Sequence, residues 1–176
     1  MRNGNFMNES FLQSITPESV KLILQEVKDP EVPVLTIEEL GILREVVLKD
    51  GIFEIIITPT YSGCPALQAI TDEIKTVMEK HGILNYKIRM VYTPAWTTDW
   101  MSEAAREKLR AYGIAPPSQS TASHLEASLS GKSKPVKCPF CGKTETKLTS
   151  AFGSTACKAL HFCNHCRQPF EEFKCH

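Results

Sequence analysis

Six of the chain's seven cysteines lie within its last 39 residues, and four of them form two Cys-x2-Cys pairs. The pairs are Cys138-Pro-Phe-Cys141-Gly and Cys163-Asn-His-Cys166, separated by 21 residues. A Cys-x2-Cys turn aims two thiolates at one centre, and two such turns on a short β-ribbon complete a tetrahedron suited to zinc. A segment of about 40 residues buries too little apolar surface to fold alone, so the metal is expected to supply folding energy. Four cysteines can also hold iron or an iron–sulfur cluster, which would make the ribbon an electron carrier. A closed four-sulfur shell keeps no position open for water, which speaks against metal-assisted hydrolysis. Cys157 and Cys175 are either small residues of a tight ribbon or additional ligands. His161 and His165 are expected at the surface or as groups supporting the thiolates.

An odd cysteine count without an apolar leader argues against a disulfide scaffold and for a reducing compartment. The first fifteen residues read as an N-terminal extension without a signal-peptide core, so the expected location is cytoplasmic. No apolar run approaches the roughly 20 residues of a membrane helix. The net charge is +0, but residues 132–176 hold eight Lys/Arg against three Asp/Glu, leaving the rest of the chain acidic. Four thiolates and one zinc ion would lower the ribbon from +5 to about +3. Its lysines are scattered rather than striped, so a nucleic-acid-binding zinc ribbon is a lesser alternative.

Residues 16–115 read as an α+β domain of order α-β-β-α-β-α. Thr16-Pro17 starts a helix whose apolar face is Val20, Ile23, Leu24 and Val27, and Asp29-Pro30 ends it. Residues 42–48 and 52–58 form a hairpin around Asp50-Gly51, and the run from Ile52 to Ile57 is apolar enough for a central strand. A second helix from about Pro65 carries Leu67, Ile70, Ile74, Val77 and Met78 on one face and closes at His81-Gly82. A strand over 86–92 and a helix over 103–112 complete the domain. Residues 116–136 read as a flexible linker, and 137–176 as the zinc ribbon.

Three further features stand out in the body. Cys64 precedes the second helix, where the helix dipole and free amides favour thiolate; the alternative is a small buried residue. A hydrolytic role lacks a neighbouring general base. Asp29, Glu31 and Glu39 lie in a proline-rich stretch and either offer oxygen ligands to iron or solvate a loop. Trp96 and Trp100 either plug the core or form a partner-docking surface. The sequence holds no Glu-x-x-His pair for a di-iron site, no dinucleotide fingerprint and no P-loop.

Residues 29–42 (Asp-Pro-Glu-Val-Pro-Val-Leu-Thr-Ile-Glu-Glu-Leu-Gly-Ile), Thr60-x-x-x-Cys64-Pro65 and Pro94-Ala-Trp96 resemble the metal–sulfur cluster assembly domain of the SufT-like family. Joined to a four-cysteine ribbon, they are similar to the PaaD family of phenylacetyl-CoA epoxidase components. Tyr61-Ser-Gly-Cys64-Pro-Ala66, Pro94-Ala-Trp-Thr-Thr-Asp-Trp100, Tyr112-Gly-Ile-Ala-Pro-Pro117, Phe152-Gly-Ser-Thr-Ala-Cys157-Lys-Ala and Pro169-Phe-Glu-Glu-Phe-Lys-Cys175 carry this closer match. The resemblance implies an accessory subunit or maturation factor of a multicomponent di-iron oxygenase in aerobic phenylacetate degradation. Catalysis belongs to its other subunits. It implies that Cys64 is a metal-handling thiol for transient iron or an iron–sulfur cluster, with Cys138, Cys141, Cys163 and Cys166 forming the ribbon and Cys157 and Cys175 as family-matching extras. The implied partners are the other epoxidase subunits and iron–sulfur assembly proteins. One cysteine cannot hold a cluster, so a homodimer or partner ligands are expected.

Overall fold

The computed structural model describes residues 15–60, 63, 66–117 and 135–174. Cys64, Cys175 and most of the expected linker lie outside the described residues. The first helix, α1 (Pro17–Ile23), starts as its sequence requires. The Ser19 amide donates to the Thr16 hydroxyl, and the Thr16 amide donates back to the Ser19 hydroxyl. The apolar periodicity runs on to Val27, yet the helix tightens into a 3-10 turn at Leu24–Glu26. The reason lies downstream: the Ile37 amide donates to the Val27 carbonyl and the Asp29 amide to the Leu35 carbonyl, drawing 27–29 into extended pairing.

Strands β1 (Leu43–Lys49) and β2 (Ile52–Ile57) form the expected hairpin. Asp50 and Gly51 both have positive φ, 52° and 74°, matching the right-handed strand twist. Helix α2 (Ala66–Lys80) then crosses to β3 (Tyr86–Met90), which lies parallel to β2, so β2 is central in a three-stranded sheet. Phe53, Ile55 and Ile57 enter the core together with Ile70, Ile74 and Met78 of α2. Glu54, on the opposite sheet face, is also buried. Lys49, Lys87 and Arg89 surround its carboxylate at 3.0–3.5 Å. The Lys87 hydrogen bond, followed by the charges of Lys87 and Arg89, holds that carboxyl below its ordinary range.

After β3 the chain forms a 3-10 turn at Thr98–Trp100, and Ser102 then caps α3 (Glu103–Ala111). Gly41 allows the Trp loop to approach: its φ is +72°, and a Cβ there would stand 2.7 Å from Trp100 Cβ. Directly after α3, the two-residue strand β4 (Ile114–Ala115) pairs in parallel with a strand of the ribbon.

The ribbon strands are β5 (Thr146–Ser150), β6 (Lys158–Cys163) and β7 (Pro169–Phe173), giving a sheet of order β4-β7-β6-β5. A sheet therefore crosses the expected domain boundary at residue 115. Alternation along β4 sends Ile114 into the body's core and Ala115 into the ribbon's. Phe173, at the far end of β7, also packs in the body's core. No helix among the described residues is long and apolar enough to cross a membrane.

Candidate metal centre

The sulfur atoms of Cys138, Cys141, Cys163 and Cys166 all lie within 4.8 Å of one another. The Sγ atoms of Cys138 and Cys166 are 3.7 Å apart, and those of Cys141 and Cys163 are 3.6 Å apart. A zinc tetrahedron with Zn–S bonds of about 2.3 Å has edges of about 3.8 Å, so the sulfurs fit a four-thiolate ion. Each pair sits on a tight turn closed by its own backbone. The Gly142 amide donates to the Cys138 carbonyl, and the Arg167 amide donates to the Cys163 carbonyl. Gly142 and Arg167 occupy the same left-handed position one residue beyond each second cysteine, with φ of 73° and 64°. The Thr146 hydroxyl donates to the Val136 carbonyl and accepts from its amide, fixing the first turn's approach to β5.

The thiols respond differently to these surroundings. Hydrogen bonds from the backbone of Cys166, opposed by burial, hold the Cys163 thiol down at about 7. Burial, reinforced by hydrogen bonds to the neighbouring cysteines, pushes Cys166 up to about 12. Burial also raises Cys138. Four thiolates at this spacing repel one another, and a divalent cation supplies the charge that lets them ionise together.

His161, expected at the surface or in a supporting role, is buried one alternation from Cys163 along β6. Its Nε2 lies 3.0 Å from Glu172 Oε2, and its ring stacks on Phe170 at 5.4 Å. This buried pair braces β6 against β7 beneath the second Cys-x2-Cys turn. Strand alternation places both residues inward, but only the β6–β7 register shows that they meet. His165 is exposed.

The remaining candidates separate. Cys157 is not part of the four-sulfur cluster. Its Sγ donates to Glu31 Oε2 at 2.9 Å and lies 3.1 Å from Thr155 Oγ1. Burial, then the Glu31 hydrogen bond, pushes this thiol up to about 12, so it stays protonated. Asp29 Oδ1 accepts from the amides of Glu31 and Val32, both at 2.8 Å, and thus serves its own turn. Glu39 takes the amide of Thr36 and the Lys108 ammonium. Asp29, Glu31 and Glu39 form no three-ligand group among the described residues, and each is engaged by its own backbone, thiol or ammonium donors.

The tryptophans also part company. Trp96 is 4 % exposed, and its indole N–H donates to the Leu40 carbonyl at 2.9 Å. Of the two readings of Trp96, its placement matches the core plug: its ring meets Phe173 edge-on at 6.2 Å. Trp100 is half-buried beneath Arg44, whose guanidinium carbon lies 3.5 Å from the ring centre.

Two family models match separate parts of the chain. The iron–sulfur cluster assembly protein family matches residues 17–81, and the PaaD zinc beta ribbon domain matches residues 122–174. An Escherichia coli (strain K12) protein, named as the D component of 1,2-phenylacetyl-CoA epoxidase, is 45 % identical over 168 residues, covering 93 % of this chain and 98 % of the relative. An "Fe-S protein maturation auxiliary factor" of Porphyromonas gingivalis is 36 % identical, covering 58 % of this chain and 97 % of the relative. Among solved structures, a DUF59 domain from Bacillus anthracis superposes with a TM-score of 0.50 at 25 % identity, over 60 % of this chain and 97 % of that one. With an assembly domain and a four-cysteine ribbon matched in order, and near-complete coverage by the E. coli relative, the chain belongs to the PaaD family of phenylacetyl-CoA epoxidase components.

Proposed function

We propose that the chain is an accessory maturation factor of a phenylacetyl-CoA epoxidase, assisting delivery of iron or an iron–sulfur cluster to its partner subunits. The observation that carries this reading is the pairing of an iron–sulfur assembly domain with a closed four-sulfur centre in one chain similar to the E. coli epoxidase component along nearly its whole length. The ribbon centre holds zinc in this reading. Its four sulfurs fill a tetrahedron, an arrangement typical of a structural ion. The iron species is cargo, and its handling thiol is Cys64, adjacent in sequence to Pro65 and the start of α2 at Ala66. A thiol next to a helix N-terminus is favoured as thiolate, the form that binds iron. Because one thiolate cannot hold a cluster, the remaining ligands come from a second copy or from the partner. The test is maturation of the epoxidase in cells carrying Cys64→Ser. The variant is expected to leave the oxygenase iron-poor and inactive while its own ribbon metal is retained. Normal iron loading of the oxygenase in its presence would defeat the thiol-transfer reading.

A further inference from the structure

The ribbon meets the body through side chains that cluster at one end of its two long strands. Cys157, immediately before β6, donates its S–H to Glu31 in the turn that follows α1. Next to it, Lys158 is buried, with Nζ 3.4 Å from the Glu31 carbonyl oxygen and 3.3 Å from Glu171 Oε2. Across the ladder Lys158 faces Phe173, whose ring is 2 % exposed and meets Trp96. The Lys174 amide closes the group by donating to the Cys157 carbonyl at 2.9 Å. The ribbon thus covers Glu31 and Trp96, one from each of two body loops.

The opposite end of the same strands is the metal centre. β6 runs from Lys158 to Cys163, and the turn carrying Cys163 and Cys166 leads into β7. Six residues of strand span about 20 Å, so one rigid ladder joins the sulfur cluster to the Glu31 contact. Besides the metal centre, the ladder is braced by the buried His161–Glu172 pair, while the ribbon's own apolar core is small. Its own buried cluster is Ala115, Val136, Cys138, Cys163 and Phe170, and two of these five are metal-site cysteines. Without the metal, four mutually repelling or unpaired thiols replace the centre of this small core, and the β6–β7 pairing loses its anchor. The body's core is mostly its own, built on α1, α2, α3 and the three-stranded sheet, with Phe173 as the ribbon's contribution to it.

We propose that the ribbon is a metal-held cap over Glu31 and Trp96 of the assembly domain, and that loss of the ribbon metal opens it while the domain stays folded. The proposal rests on a metal-loaded ribbon and is independent of the maturation role. Hydrogen–deuterium exchange of the full chain tests it, comparing zinc-loaded protein with protein stripped by a chelator and with Cys157→Ala. Stripping is expected to raise exchange across 31–36 and 94–101 by about tenfold or more, reversibly on zinc addition, with the β1–β2 hairpin unchanged. Cys157→Ala removes only the thiol contact, so it should raise exchange across 31–36 at full metal content. Free exchange along β6 in stripped protein, with 31–36 and 94–101 still protected, would overturn the cap. So would simultaneous exposure of the hairpin, which would mean that the body cannot stand without the ribbon. A purified chain that binds no metal at all would instead overturn the metal-loaded ribbon on which the cap depends.

Discussion

Asp29 is 8 % exposed, with one oxygen shared by two backbone amides of its own turn. Burial raises its pKa, and the amides of Val32 and Glu31 only partly offset that cost. A carboxyl with a raised folded-state pKa lends its stability below the unfolded pKa and loses it as pH rises through the folded value. Asn keeps the acceptor and never ionises. Asp29→Asn is therefore expected to be at least as stable as the parent near neutral pH. Its advantage should shrink in acid, where Asp29 is protonated as well; urea unfolding midpoints at the two pH values check this. The sequence marks Asp29, Glu31 and Trp96 as unusual through their prolines and aromatic neighbours. It does not reveal their roles, because partners far along the chain decide them: Glu31 by Cys157, 126 positions away, and Trp96 by Leu40 and Phe173.

Elements that rest on local chemistry are legible in the sequence. The Thr16 cap, the positive-φ pair Asp50-Gly51 and the apolar face of α2 each follow from neighbours a few residues apart. The central position of β2 also follows from its apolar run, although Glu54 interrupts that run with a buried carboxylate that three cationic side chains from β1 and β3 neutralise. What the sequence hides is β4, since two residues show no periodicity and gain strand structure only by pairing with β7. The premature end of α1 is hidden for a similar reason: distant pairing at Val27 overrides a helical pattern. β7 carries the ribbon's largest apolar contribution to the body through Phe173. Phe173→Ala should cost about 3–5 kcal/mol, as expected for emptying a buried aromatic site. Chemical denaturation gives the loss, and metal analysis of the same variant should still find the ribbon loaded, because Phe173 lies at the end of β7 away from the cysteines.

At the scale of the molecule, the charge division along the sequence matches a structural one. A ribbon with an excess of Lys and Arg sits on an acidic body, although Lys158 meets Glu31 through its main-chain carbonyl and pairs in charge with Glu171 of the ribbon itself. The cysteine spacing foretold the sulfur cluster because each Cys-x2-Cys turn is local and only two had to meet. The docking of ribbon on body was not foretold: it depends on the β4–β7 pairing and on side chains from three separated segments. In the proposed reading, a zinc-built ribbon is fixed to an assembly domain whose own thiol handles iron. The most direct test of that reading is the metal and sulfide content of the full chain purified without air, together with its absorption spectrum. One zinc per chain, no visible absorption and loss of that zinc in Cys163→Ser are the expected results. Stoichiometric iron and sulfide held by Cys138, Cys141, Cys163 and Cys166 would contradict the account and make the ribbon a redox centre.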